Sequence, residues 1–192
     1  MKGYLFYNHH LGDVLMIIFN VEQTPTRYQK LGDITLIYHN DELIGVNVFN
    51  ISSVCKIKSS GQIHLPPKIL IEVLNNLLNS FNIVIDSLDK SPYKIGKVES
   101  LIQFENVFLL KINMKNKTMF VLSKNDVDLD KLYVIATEGA LLTSGKVVEN
   151  YQYQNYLIEG HICSYLDLQL DSEDKLIILD DNSLVGDDFF SY

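Results

Sequence analysis

The stretch YKIGKVESLIQFENVFLLKINMKNKTMFVLS, residues 93–123, decides the reading of the fold. It holds three β-branched and aromatic runs, YKIGKVESLIQF, VFLLKINM and KTMFVLS, parted by short polar breaks. Such runs, bounded by turn residues, read as successive strands. Asn116-Lys117 reads as a hairpin turn and Gly96 as a bend or bulge. KLYVIAT (131–137) and GKVVENYQY (145–153) continue the series to five strands, with Gly139 and Gly145 at further bends. Five short strands and a small helix near 161–167 fit an all-β domain, a closed five-stranded Greek-key barrel of the OB type. LIILD (176–180) is a candidate strand that packs back onto it.

Upstream the pattern changes. YLFY, VLMIIF, TRYQKLGDITLIYH and LIGVNVFNI are strand-like, with turns expected at Gly12-Asp13, Gly32-Asp33 and Asn40-Asp41. LPPKILIEVLNNLLNSF (65–81) then reads as a helix. Pro66 and Pro67 suit its first turn, where a missing N–H costs nothing. Leu70, Leu74, Leu77, Leu78 and Phe81 recur at helical spacing. NIVI (82–85) is expected as a closing strand. The first half is therefore expected to be an α+β domain over residues 1–88. The polar, proline-containing DSLDKSP (86–92) marks the boundary, and the barrel domain with its acidic extension runs over 92–192.

The chain of 192 residues is 47% hydrophobic and 21% charged, enough to build a real core. No apolar run reaches the roughly 18 residues of a membrane span. The start, MKGYLFYNHHLGD, lacks the apolar core of a signal peptide, so a cytoplasmic location is expected. Cys55 and Cys163 form no C-x-x-C pair and are expected as reduced, core-lying residues. Net charge is −8, unfavourable for holding a polyanion. The acidity is concentrated, however. Residues 91–166 balance 8 Lys and Arg against 8 Asp and Glu, whereas 167–192 sets Lys175 against 8 acids. The barrel body can thus carry a local basic face. The tail reads as a solvated C-terminal edge, with docking of a basic partner or cover of an RNA face as alternatives.

No G-x-S-x-G, P-loop, H-E-x-x-H or Rossmann fingerprint is present, so neither catalysis nor a cofactor is expected. DVDLD (126–130) opens like a calcium loop but fails at its sixth position, Lys131, and its twelfth, Thr137. His9-His10 lacks a second ligand pair, and no metal site is expected.

The second half resembles the tRNA-binding OB domain of aminoacyl-tRNA synthetase appendages and free-standing tRNA-binding proteins. The resemblance lies in YKIGKVES (93–100), FVLSKNDV (120–127), VIATEGALLTSGKVV (134–148) and LIEGHICSYLDL (157–168). LFYN with Gly12-Asp13, then IGVNVFNISS (44–53), resembles the N-terminal domain of the YtpR family of bacterial tRNA-binding proteins, which precedes an OB domain in the same order. The resemblance implies a barrel that grips tRNA, or structured RNA, by its outer corner. It implies no membrane or DNA partner, and a homodimer, since OB domains of this family often pair. The resemblance is that of a divergent member. ENYQYQNY (149–156) lacks the usual Leu-Arg-Gly and its phosphate-binding Arg. Ile158-Glu159-Gly160-His161 stands where the family favours Ser-x-Gly-Met. IQFENVFLLKI (102–112) stands where a His-Pro-x-Ala-Asp-Lys-Leu stretch is common.

The expected RNA-binding rim comprises Lys124, Asn125, Ser144, Lys146, Tyr151, Tyr153, Glu159, Gly160, His161 and Ser164. Lys124, Lys131 and Lys146 either contact phosphates or are solvated lysines beside Asp126, Asp128 and Asp130. Tyr151 and Tyr153 share one strand face, which either stacks bases or turns inward. Gly139, Gly145 and Gly160 serve backbone geometry. The expected function is a non-catalytic tRNA- or RNA-binding accessory protein. The alternative is a protein-interaction module on an OB scaffold that has lost RNA binding.

Overall fold

The computed structural model describes residues 1–58, 60–86 and 90–191. The chain divides into two compact units, Met1–Asp89 and Lys90–Tyr192. Of the expected boundary at 86–92, residues 87–89 lie outside those described.

The first unit is a single antiparallel sheet. Its strands are β1 (Tyr4–Asn8), β2 (Val14–Ile18), β3 (Arg27–Leu31), β4 (Ile34–His39), β5 (Glu42–Phe49) and β6 (Gly61–Ile63), in the order β3-β4-β5-β2-β1-β6. Two-residue loops at Gly32-Asp33 and Asn40-Asp41 join β3 to β4 and β4 to β5. Helix α1 (Lys68–Leu78) begins directly after Pro67. Its buried residues Leu70, Ile71, Leu74 and Leu78 join one core with Leu5, Leu15, Ile17, Val46 and Val48 of the sheet. The expectation of an α+β first domain is thereby corrected. One eleven-residue helix set on six strands makes this unit mainly β, like the second. The helix stood out in the sequence because its apolar stripe is strong, not because helix is abundant. The expected strand 82–85 does not form either. Asn82 turns left-handed, and the Asn75 amide binds Ile85 from both sides, donating to its carbonyl at 3.0 Å and accepting its N–H at 2.7 Å. A side chain on α1 thus satisfies the backbone that a neighbouring strand was expected to pair.

The second unit is a barrel built from β7 (Tyr93–Phe104), β8 (Val107–Asn113), β9 (Thr118–Ser123), β10 (Leu132–Thr137), β11 (Tyr151–Tyr153), β12 (Tyr156–Ile162) and β13 (Ile178–Leu179). Strand β7 pairs with β8, β8 with β9, β9 with β12 in parallel, β12 with β10, and β10 with β7 again. This circuit closes a five-stranded Greek-key barrel with the OB strand order. The interior holds Val98, Leu110, Ile112, Met119, Val121, Tyr133, Ile135 and Ile162. A second cluster around Tyr93, Val134, Ala140, Val148, Cys163 and Ile177 forms a layer beside it.

The closing strand differs from expectation. It is Tyr156–Ile162, not 145–153, and the expected helix near 161–167 is a single 3₁₀ turn at Leu166–Leu168. Gly160 weakens the strand pattern of YLIEGHI, yet the barrel requires it. A Cβ there would lie 2.7 Å from the Ala136 carbonyl oxygen and 2.9 Å from Met119 Cε, so β12 can pass between β9 and β10 only without a side chain.

LIILD (176–180) packs back onto the barrel as expected, through β13, while the end of the tail departs from the solvated edge expected of it. Backbone bonds tie Lys175 to Tyr165 and Ile177 to Cys163, and β13 pairs with β10. Asp188 fastens the end of the chain. It accepts the N–H and Oγ of Ser91 and pairs with Lys94 Nζ at 3.1 Å, while Phe190 meets the buried Tyr93 ring edge-on at 5.3 Å.

Candidate nucleic-acid interface

On the barrel, the ends of β9 and β12 and the loop before β11 enclose a groove. Its larger part, about 470 Å³, is lined by Lys124, Asn125, Tyr151, His161 and Ser164 together with Leu122, Asp167 and Asp174. Its smaller part, about 210 Å³, is lined by Lys146, Glu149, Tyr151, Gly160, His161 and neighbouring apolar residues. Leu122, Tyr151 and His161 line both parts and make the groove continuous.

Local structure explains how these side chains arrive. The turn after β9 is fixed by Ser123, whose Oγ donates to the Asn125 carbonyl at 2.9 Å and accepts the Asn125 N–H at 3.1 Å. Lys124 is thereby held at the groove mouth. Tyr151 opens β11 opposite Ile158 of β12 and is 46% exposed. His161 lies near the end of β12, beyond Gly160. Lys146 follows the turn at Gly145, whose φ of 83° suits glycine.

Of the ten lysines of this unit, four are held in ion pairs. Lys94, Lys97, Lys111 and Lys117 are held by Asp188, Asp130, Glu99 and Glu159 at 2.9–3.3 Å. Among the described residues no ion pair holds Lys124 or Lys146, nor Lys90, Lys115, Lys131 or Lys175, but only the first two line the groove. The two lysines on the groove therefore keep their charge available for an anion, set against nearby Glu149 and Asp174.

Three expected residues are not brought to the groove. Glu159 pairs with Lys117 at 3.1 Å, Tyr153 rests its ring against Phe104 at 5.9 Å, and exposed Ser144 only accepts the Lys146 N–H at 3.4 Å. The two tyrosines of β11 thus part company, one in the groove and one on a neighbouring aromatic.

Asp167 was missing from the sequence reading. It closes a reciprocal cap with Ser164. The Ser164 N–H and Oγ donate to Oδ2 at 2.9 and 3.0 Å, and the Asp167 N–H donates to Ser164 Oγ at 3.2 Å. His161 Nε2 reaches the same Oδ2 at 2.9 Å. Burial works against the Asp167 charge, but the bonds from His161 and Ser164 outweigh it and hold the carboxyl below the usual carboxylate range. The Ser-x-x-Asp spacing of a capping box is the signal that could have found it.

Among the described residues no group of three or more His, Cys, Asp or Glu is placed to hold a metal, and no helix is long and apolar enough to cross a membrane. Burial pushes the Cys163 thiol far up, leaving it unreactive.

Comparison with known proteins fits this architecture. Residues 21–84 match a family described as Domain of unknown function (DUF4479). The chain is 31% identical over 135 residues to the Phenylalanine–tRNA ligase beta subunit of Wigglesworthia glossinidia brevipalpis, covering 63% of this chain but 17% of that protein. It is 32% identical over 198 residues to a protein of Bacillus subtilis (strain 168) named "Putative tRNA-binding protein YtpR", covering 96% of this chain and 98% of that one. With nearly the whole of both chains aligned, this protein belongs to the YtpR family, as a divergent member.

Proposed function

We propose that the chain is a non-catalytic accessory protein that binds tRNA, or RNA of similar structure, in the groove of its OB barrel. The observation that carries this reading is the lining of the groove, which sets two lysines beside an exposed tyrosine. Lys124 and Lys146 line the groove together with the exposed Tyr151 ring, and among the described residues no ion pair holds either of them. An aromatic platform beside cations is how an OB surface holds a nucleotide, the ring stacking a base and the cations meeting phosphates. The names of the two relatives, a tRNA-binding protein and a tRNA ligase subunit, point the same way.

The absence of catalysis is supported by the site's chemistry. Ser164 is buried and its hydroxyl is committed to Asp167, so it does not serve as a nucleophile for His161. With net charge −8 and carboxylates near the groove, affinity is expected to be modest and salt-sensitive. The test is a mobility shift of bulk tRNA by the full chain, at low salt and again near physiological salt. Binding that weakens with salt, and weakens further in Lys124→Ala and Lys146→Ala, supports the reading. No shift even at low salt overturns it and leaves the barrel as a protein-interaction scaffold.

A further inference from the structure

We propose that His161 reads the edge of the base held in the groove, accepting a hydrogen bond through Nδ1 and so selecting bases that offer an amino group. The inference rests on the RNA-binding reading above and names what that site prefers. His161 lines both parts of the groove alongside Tyr151, and its side chain is 38% exposed. A base stacked on Tyr151 would therefore turn its edge toward the imidazole.

The orientation of that imidazole is set from behind. Nε2 lies 2.9 Å from Asp167 Oδ2, an oxygen that already accepts from the Ser164 N–H and Oγ. The carboxyl is held in its ionised form, which only accepts hydrogen bonds. Nε2 must then carry the proton, and in the neutral ring this leaves Nδ1 as a bare acceptor. Among the described residues Nδ1 has no hydrogen-bond partner. A fixed acceptor beside a stacking ring suits the exocyclic amine of cytosine or adenine, at the position where uracil presents a carbonyl.

Cytosine and uracil make the cleanest comparison. They are pyrimidines of equal size that differ at position 4, amino against carbonyl, and at N3, bare nitrogen against N–H. The experiment measures fluorescence anisotropy of short oligo(C) and oligo(U) RNA with the full chain at low salt and neutral pH, with bulk tRNA alongside. The expected result is oligo(C) bound roughly fivefold more tightly than oligo(U), the weight of one neutral hydrogen bond. In His161→Phe, which keeps a ring but no nitrogen, the ratio of oligo(C) to oligo(U) affinity should fall to about one. His161→Leu serves as a second variant in case the phenyl ring disturbs the strand. A wild-type ratio near one, or a ratio that both variants leave unchanged, overturns the role of His161 alone. Failure of tRNA and both homopolymers to bind sinks the RNA reading and this inference with it.

Discussion

Replacing Asp188 with Ala should release the C-terminal tail from the barrel and destabilise the second unit by roughly 3 kcal/mol. The magnitude follows from what Asp188 holds. Its carboxylate accepts the N–H and hydroxyl of Ser91, the ammonium of Lys94 and the N–H of Phe190. Ser91 is 2% exposed, and the Lys94 and Asp188 side chains are 18% and 10% exposed. The substitution strands a nearly buried cation and two Ser91 donors, where each orphaned polar group costs about 1–3 kcal/mol and a broken buried pair about 3–5 kcal/mol. These costs overlap, and local opening of the tail lets water relieve part of them, hence the lower figure. Asp188→Asn keeps an acceptor for Ser91 and should lose about half as much. Urea unfolding followed by near-ultraviolet circular dichroism, which reports packed aromatic rings, Tyr93 among them, measures the difference. Its pH dependence is equally specific. Burial opposes the Asp188 charge, but the bonds from Ser91 and Lys94 prevail and lower its folded pKa. Its contribution is therefore complete above the unfolded carboxylate pKa of about 4 and disappears as pH falls through the lower folded value. The gap between wild type and Asp188→Ala should be constant from about pH 5 to 7 and narrow in stronger acid. A loss below about 1 kcal/mol, or a gap that widens on acidification, would refute the anchoring role.

Other consequences are as direct. Gly160→Ala sets a methyl group 2.7 Å from the Ala136 carbonyl oxygen, and should lower stability by roughly 1–3 kcal/mol in thermal melts. An unchanged melting temperature would contradict the barrel-closing role given to Gly160. Tyr151→Ala should weaken tRNA binding by roughly 1–3 kcal/mol, whereas Tyr153→Ala, whose ring rests on Phe104, should cost stability and leave affinity nearly unchanged. Equal losses of affinity from both would remove the distinction between them. Asn75→Ala frees both backbone groups of Ile85 and should destabilise the first unit by about 1–3 kcal/mol in urea unfolding.

Much of this was legible in the sequence where the signal is local. The α1 stripe at Leu70, Leu74 and Leu78 repeats within one helix, and the runs that form β7 to β10 carry their own turns. The misreadings share a different cause. The closing strand is hard to place from sequence because the Ala136 carbonyl that demands Gly160 is far away in the chain. The 82–85 segment looked like a strand because its partner is a side chain on α1. The tail looked solvated because Asp188 meets Ser91 and Lys94 across more than ninety residues. The site followed the same rule. Residue types suggested the rim, but which lysines stay free depends on carboxylates brought from distant strands, such as Glu159 to Lys117, 42 residues apart. Ser164-x-x-Asp167 was the local signal that went unread.

The proposed binding of tRNA depends most on Lys124 and Lys146 as phosphate contacts. The measurement that tests this most directly is the slope of log K against log salt for tRNA binding, in the wild type and in the Lys124→Ala, Lys146→Ala double variant. Each lysine that neutralises a phosphate contributes about 0.7 to 0.9 to the slope, so the double variant should be shallower by roughly 1.4 to 1.8. Identical slopes in the two proteins would show that the groove lysines meet no phosphate, and would contradict the account.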